Sequence, residues 1–304
     1  MTKIDLNCSG SGIRLDVFIS ENCGKDYSRS FYKRLITTGM VTVNGQVPSK
    51  AGMILENGDH VEVTFPEPEN SDNIPQDIPL DIVYEDSDLL VINKPQGMVV
   101  HPAAGHHEGT LVNALLAHCG GDLSDINGVI RPGIVHRIDK DTSGLMLACK
   151  NNETHLALAE MLSKHEIVRE YRALVYGVIA EDRGNIDAPI GRSSSDRKKM
   201  AVVKDGKFAV THFTVIKRYA EATDLLLRLE TGRTHQIRVH MGYIGHPVVG
   251  DPVYAARRPK YGLEGQALHS CSVTFVHPRT GETMHFEAPV PKYYEEALKQ
   301  LNPL

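Results

Sequence analysis

Two stretches of the 304-residue chain concentrate side chains that could do chemistry. The first is Arg131-Pro-Gly-Ile-Val-His136-Arg137-Ile-Asp139-Lys140-Asp141-Thr-Ser-Gly-Leu145. It holds three basic side chains, two carboxylates and two hydroxyls in fifteen residues. A carboxylate among cations can serve as a nucleophile or a base. Burial raises its pKa, whereas a neighbouring arginine lowers it and fixes its orientation. The second is Thr231-Gly-Arg233-Thr234-His235-Gln236-Ile237-Arg238-Val239-His240-Met241, which could supply that arginine from either Arg233 or Arg238.

Several elements must position these groups. The apolar run Leu145–Cys149 reads as a buried strand, so a polar loop stiffened by Pro132 and Gly133 feeds directly into core. Thr234 reads as a helix N-cap, and Ile237 and Met241 lie four apart, which makes the remainder helical. Arg238 then sits near a helix start, where side chains can point back past the N-terminus. Residues 80–84 and 89–92 read as a strand pair joined through Glu85-Asp-Ser-Asp88. The loop Lys94-Pro95-Gln-Gly97 follows, then a helix over 111–118. A helix capped by Asn152 runs to Lys164, and residues 167–178 read as a long strand carrying Tyr171 and Tyr176. Further strands are expected at 209–216, 224–230, 272–276 and 284–287, then a short terminal helix. From Gln266 onward the sequence suggests packing alone.

Simpler readings compete. The first stretch could be a surface loop in which Arg131, Arg137 and Lys140 neutralise Asp139 and Asp141. A kinase-type catalytic loop fails, because Ile138 is inserted and no glycine-rich phosphate loop precedes it. Fifteen histidines invite a metal, but there is no HExxH, and His235 and His240 are five apart, so no metal is expected. Five scattered cysteines without a CxxC pair read as free thiols of a reducing cytoplasm. No apolar run approaches a membrane span and no signal peptide is visible, so the expected location is cytoplasmic. The net charge of −5 argues against a nucleic-acid binder, although a global sum can hide a local patch.

The N-terminal part reads as a separate module over 12–68. Ser28 would cap a helix with Phe31, Leu35 and Ile36 on one side. Arg29, Lys33 and Arg34 would form a basic face, either solvated or in contact with phosphates. Met40–Val43 alternates into an Asn44-Gly45 turn, and 58–65 reads as a second strand. The Pro-rich, acidic segment 69–79 reads as a semi-stiff linker, leaving 80–304 as the larger domain. There, the Ser-rich loop 192–199 carries Arg197, Lys198 and Lys199, either as a solvated hairpin tip or as phosphate contacts.

The 131–145 stretch resembles, over its whole length, the active-site motif of the RluA-type pseudouridine synthases, RNA-modifying enzymes, and with the N-terminal module it resembles their RluD-like branch. Lys94-Pro-x-Gly97-x-x-x-His101-Pro, Tyr171-Arg-Ala-Leu-Val-Tyr-Gly177, the Thr231–Met241 stretch and Gly245-His-Pro-Val-Val-Gly-Asp251 match further family motifs. The pattern Arg14-Leu-Asp16…Ser28-Arg-Ser…Gly39-Met-Val41…Gly58-Asp59 resembles the small α-L RNA-binding domain and tips the basic helix toward RNA. The resemblance implies an α+β fold: a large mixed, mainly antiparallel sheet flanked by helices, with the site in a central cleft, plus the small RNA-binding domain. It implies uridine isomerisation in RNA, most of all in large-subunit ribosomal RNA, with transfer RNA or a non-catalytic RNA-binding role as alternatives. No cofactor is implied, and a monomer is expected. By the resemblance, Asp139 is the catalytic carboxylate and Arg238, ahead of Arg233, its partner. Tyr171 lies against the target base, and Arg137, with His136 beside it, contacts RNA and fills the space of the flipped uridine. Whether Asp139 attacks C1′ or removes the C2′ proton stays open.

Overall fold

The computed structural model describes all residues except 1, 24–28, 66–73, 103–105, 107, 127–131, 195, 197–198 and 256–260, together with the side chains of 29 and 30. The expected cap Ser28, the Arg29 side chain, Arg131, Arg197 and Lys198 therefore lie outside the described residues.

The N-terminal part contains β1 (Thr2–Asn7), β2 (Ile13–Arg14), α1 (Leu15–Asn22), α2 (Arg29–Thr37), β3 (Val41–Val43), β4 (Ile54–Leu55) and β5 (His60–Phe65). β5 is the centre strand, antiparallel to β1 and β3. β1 falls before residue 12, where the sequence reading placed no element: its alternation of Ile4 and Leu6 with charged residues is short and half-exposed. α1 was likewise not read, since its apolar residues carry no strong periodicity over eight positions. Asn44 and Gly45 adopt φ of 51° and 75°, the left-handed pair that closes a two-residue hairpin. Leu15, Phe18, Tyr32, Leu35, Ile36, Val41, Leu55, Val61 and Val63 form a core of their own. Lys33 and Arg34 stay exposed on α2, with the Arg34 guanidinium 5.4 Å from the Phe31 ring centroid.

The larger part begins with β6 (Ile82–Glu85) and β7 (Leu89–Lys94), then α3 (Leu111–Cys119), β8 (Ser143–Cys149), α4 (Asn152–Ser163) and β9 (Val168–Tyr176). β10 (Arg183–Asp187), β11 (Ile190–Arg192), β12 (Met200–Val202), β13 (Val210–Arg218), β14 (Ala222–Leu229), α5 (Gln236–Tyr243), β15 (Leu268–Val276), β16 (Thr283–Glu287) and α6 (Lys292–Lys299) follow. A nine-stranded sheet runs β10-β13-β14-β9-β15-β8-β7-β6, with β16 also on β15. Every pair is antiparallel except β15 with β8. This is the mixed, mainly antiparallel sheet with helices that the sequence implied.

The β15–β8 seam sets the position of the site. The strands meet over only two residues, His269 and Ser270 opposite Ser143 and Gly144. A Cβ on Gly144, at φ +110°, would lie 2.2 Å from the Ser270 carbonyl oxygen. Only glycine admits that approach. Seven consecutive buried residues make β8 the floor on which the 132–142 loop rests.

Two helix starts differ from expectation by one residue. Asn151, not Asn152, caps α4 by accepting from the Thr154 N–H. Thr234 is not the cap of α5: the residue before the helix is His235, in the left-handed region at φ 56°. The Gln236 side chain accepts the Arg233 N–H, which ties down the turn before the helix but caps none of its first N–H groups. Asp86, Asp88 and His277 bring three possible metal-binding atoms within 4.8 Å of one another. They are committed to protein: Asp86 accepts the Asp88 and Leu89 N–H groups, the Tyr84 hydroxyl and His277 Nε2, while Asp88 faces Arg279 and Asn151.

Candidate active site

The loop before β8 is held from three directions, which is how a chain without regular structure there can present side chains rigidly. Gly133 donates to the Ser124 carbonyl (2.7 Å) and accepts from the Cys149 N–H (2.8 Å), clamping the loop onto β8. Lys94, wholly buried at the end of β7, donates its ammonium to the carbonyls of Pro95, Met98 and Lys140. Gln96 donates to the Asp141 carbonyl and Gly97 to that of Lys140. From the C-terminal side, Gln266 donates to the Thr142 hydroxyl, and the Ser143 hydroxyl meets both His269 Nδ1 (2.8 Å) and the Tyr293 hydroxyl (2.7 Å). The segment after Gln266, read from sequence as packing alone, thus fixes the site loop.

His136 is part of the same scaffold. Its Nε2 accepts the Leu147 N–H at 3.0 Å, which leaves the proton on Nδ1. Burial, reinforced by the charge of Arg169, pushes its pKa down to about 3. The ring borders the cavity as a neutral imidazole. Arg137, next to it, is exposed at the cavity mouth.

These restraints place Asp139 in a cavity of about 560 Å³ formed by the 135–142 loop, the end of α4, β9 and the β14–α5 connection. Arg238, on the first turn of α5, reaches it: Nη1 donates to Asp139 Oδ2 at 2.9 Å. The other two nitrogens clamp Asp251, Nε to Oδ2 at 2.7 Å and Nη2 to Oδ1 at 3.0 Å. Asp251 is fully buried and also accepts the Val253 and Tyr254 N–H groups. The Tyr254 ring lies 5.2 Å from the guanidinium carbon. Burial alone would lower the pKa of Arg238, but the bonds to Asp251 and the charges of both carboxylates outweigh it and hold the guanidinium charged. Of the two arginines left open by sequence, Arg238 meets Asp139, whereas Arg233 Nε donates to the Phe208 carbonyl.

α5 is anchored so that Arg238 cannot drift. Gln236 accepts from the Thr231 hydroxyl and donates to the Val210 carbonyl, while His240 bridges Thr211 and the Ala188 carbonyl. His235 Nε2 lies 3.8 Å from Asp139 Oδ1, and its Nδ1 meets the Tyr254 hydroxyl. Burial lowers the pKa of His235 against the pull of Asp139.

Tyr171 lines the cavity from β9, buried, its phenol pushed above the ordinary value by burial. Arg169 projects from the same face two residues earlier. Among the described lining residues Asp139 is the one carboxylate, against Arg137, Arg169, Arg233 and Arg238. A chain of net charge −5 therefore presents a cationic cavity, the local field that suits a polyanion. Lys33 and Arg34 of α2, and Lys199, which closes the β11–β12 hairpin by donating its N–H to the Asp196 carbonyl, do not line it.

Gln96, Gln266 and Arg169 were not singled out from sequence; Asp251 and His269 were read only as parts of family-like motifs, and the Lys94 loop was expected to support the active-site loop, as its bonds to Lys140 do. The partners of Gln96, Gln266 and His269 are distant in the chain, and isolated polar residues at strand ends carry no periodic signal.

Comparison with known proteins decides the family. The family profile described as RNA pseudouridylate synthase matches residues 88–243, which include Asp139, Tyr171 and Arg238. The chain belongs to the RNA pseudouridine synthase family. A second profile, the S4 domain, matches residues 13–61 and accounts for the N-terminal module as an RNA-binding domain. An uncharacterized RNA pseudouridine synthase of Bacillus subtilis is 51% identical over 303 residues, 99% of each chain. The ribosomal large subunit pseudouridine synthase D of Zymomonas mobilis is 48% identical over 284 residues, covering 90% of this chain and 89% of that one. Human RNA pseudouridylate synthase domain containing 1 aligns in structure with TM-score 0.60 and 26% identity, over 74% of this chain and 89% of its own. This pseudouridine synthase thus joins an S4-type domain to a catalytic sheet, and every described lining residue of the cavity except Leu268 falls within the matched region.

Proposed function

We propose that this pseudouridine synthase isomerises specific uridines of large-subunit ribosomal RNA in the cytoplasm, as part of ribosome biogenesis, with Asp139 as its catalytic carboxylate. The observation that carries the reading is the 2.9 Å contact between Arg238 and Asp139 inside a cationic cavity, with Arg238 itself locked on buried Asp251. The name of the Zymomonas mobilis relative supports the choice of RNA.

Making pseudouridine requires that the C1′–N1 bond break, that uracil turn, and that C5 bond to C1′ and release its proton. No net oxidation occurs, and the energy of the old glycosidic bond goes into the new C–C bond. A glycosidase brackets such a bond with two carboxylates and admits water. Here a single carboxylate lines the cavity among the described residues, an arrangement suited to excluding a hydrolytic water. Asp139, oriented by the Arg238 contact, attacks C1′ or removes the C2′ proton and so starts the reaction. Tyr171 supplies an aromatic face that stacks on the base. Arg137, at the mouth, fills the stack left by the flipped uridine, which offsets an unstacking cost of a few kcal/mol. The exposed cations of α2, Lys33 and Arg34, add phosphate contacts remote from the cavity.

The test is tritium release from RNA labelled at uridine C5, run on unmodified large-subunit ribosomal RNA and separately on bulk transfer RNA. Release from the ribosomal RNA alone is the expected result. Release from transfer RNA alone would overturn the substrate assignment, and tight binding without release from either would leave an RNA-binding factor.

A further inference from the structure

Arg169 is a charged side chain without a counter-charge. It is 7% exposed, and among the described residues it makes no ion pair or hydrogen bond. Nε has no accessible surface and no acceptor. Every other arginine discussed around the cavity is either exposed, like Arg137, or committed to an acceptor, as Arg238 and Arg233 are. A desolvated guanidinium left unpaired is costly, and such groups persist where a ligand completes them.

The fork of Arg169 opens onto the cavity at a defined height. A Cβ on Gly232 would lie 3.1 Å from Nη1 and 3.7 Å from Nη2, so the absence of a side chain there leaves the fork uncovered. Gly232 is exposed at the mouth, and exposed Ser163 and His165 border the same cavity. Tyr171 lies two residues deeper on the same strand face. A nucleotide with its base against Tyr171 would bring its backbone, not its uracil, to this level. His136 beside Arg169 is a neutral imidazole, so it neither competes for an anion nor supplies one.

We propose that Arg169 is a binding residue for a phosphodiester flanking the target uridine, holding its two non-bridging oxygens with the fork. A guanidinium matches that oxygen pair bidentately, and burial strengthens the contact. The inference rests on the RNA-modifying role proposed above and names a contact within it.

The experiment is a binding cycle. Wild-type and Arg169→Met proteins are titrated with a stem-loop of large-subunit ribosomal RNA. The RNA carries either natural phosphates or one uncharged methylphosphonate on the 5′ or the 3′ side of the modified uridine. Arg169→Met should weaken binding of the natural RNA about ten- to hundredfold, the range of a charge-assisted pair, and lower the salt slope by about one. One methylphosphonate should weaken wild-type binding similarly and cost the variant nothing further. The free variant should melt at or above the wild-type Tm, because an unpaired buried charge is gone. Arg169→Lys should retain part of the affinity.

Equal methylphosphonate penalties in wild type and variant, at both positions, would overturn the assignment. So would an Arg169→Met protein that unfolds, which would make Arg169 structural, or one that binds RNA normally, which would remove it from the RNA contact. Absence of tritium release by the wild type would instead refute the assigned reaction, while the titrations would still decide the phosphate contact with whichever stem-loop binds most tightly.

Discussion

Arg238 joins two carboxylates of opposite character: Asp139, open to the cavity, through Nη1, and Asp251, sealed from solvent, through Nε and Nη2. The buried pair orients the guanidinium before substrate arrives, so the third N–H meets Asp139 without reorganisation.

Asp251→Asn tests that orientation. The substitution keeps the shape but leaves Arg238 with a buried charge and a weaker clamp. We expect a loss of about 3 kcal/mol or more in stability, the usual cost of breaking a buried pair from one side. We expect kcat to fall by about tenfold or more with KM little changed, the signature of a positioning residue whose effect is felt in the transition state. Denaturant titration and steady-state kinetics check both. Wild-type kcat in a destabilised protein would detach Asp251 from catalysis.

Lys94 makes a different prediction. Its three N–H donors all end on carbonyls, one of them Lys140, the residue after Asp139. Lys94→Met keeps the aliphatic stem and removes the donors. The loop should loosen, with kcat down about 10- to 100-fold, as slight misplacement of a reacting group can cause. Hydrogen exchange should rise at Gly97 and Thr142, whose N–H groups donate to the Lys140 and Asp139 carbonyls. Unchanged exchange there would contradict the clamp.

Gly144→Ala should be among the most damaging small substitutions in the chain. The added methyl would meet the Ser270 backbone at 2.2 Å on a residue at φ +110°. Backbone on both sides cannot yield cheaply, so a loss above about 3 kcal/mol is expected, or failure to accumulate folded protein. Thermal melting of any soluble product reads the effect.

His136 and His155 set the acid response. Burial pushes them to about 3 and about 4, below the ordinary histidine value of about 6.5. Between these limits the unfolded chain binds more protons than the folded one, so stability rises with pH across this window and is lost as pH falls below about 6.5. The His136 ring resonances should not titrate between pH 8 and 5, while Tm falls as the buffer is acidified from pH 6.5 to 4.5. Titration of His136 near pH 6.5 would show that its Nε2 is not held by Leu147.

Much of this site was legible in the sequence because its polar residues are local in the chain. The 131–145 stretch lies beside an unbroken apolar run, and Arg238 follows a glutamine whose own bonds anchor the helix. The hairpin 82–94, α3 with its Gly120 end and the Asn44-Gly45 turn follow from periodicity and turn chemistry. What the sequence did not reveal depends on long-range pairing. β1 needs β5 beside it to be a strand, and Gln266 and Tyr293 acquire roles only because the β15–β8 seam brings residues more than a hundred positions apart together. The left-handed His235 was hidden for a further reason: Thr234 carries a stronger cap signal, yet α5 starts without a side-chain cap and Gln236 ties the preceding turn back to the Arg233 N–H.

The central claim is that the Asp139 carboxylate performs the chemistry, and its most direct test is tritium release from C5-labelled large-subunit ribosomal RNA by Asp139→Asn. The substitution keeps an oxygen for Arg238 to bind and removes the nucleophile or base. The account predicts that release is abolished while RNA binding stays within about threefold of wild type, since the lost interaction acts in the transition state. Release at the wild-type rate by the Asn variant would contradict it.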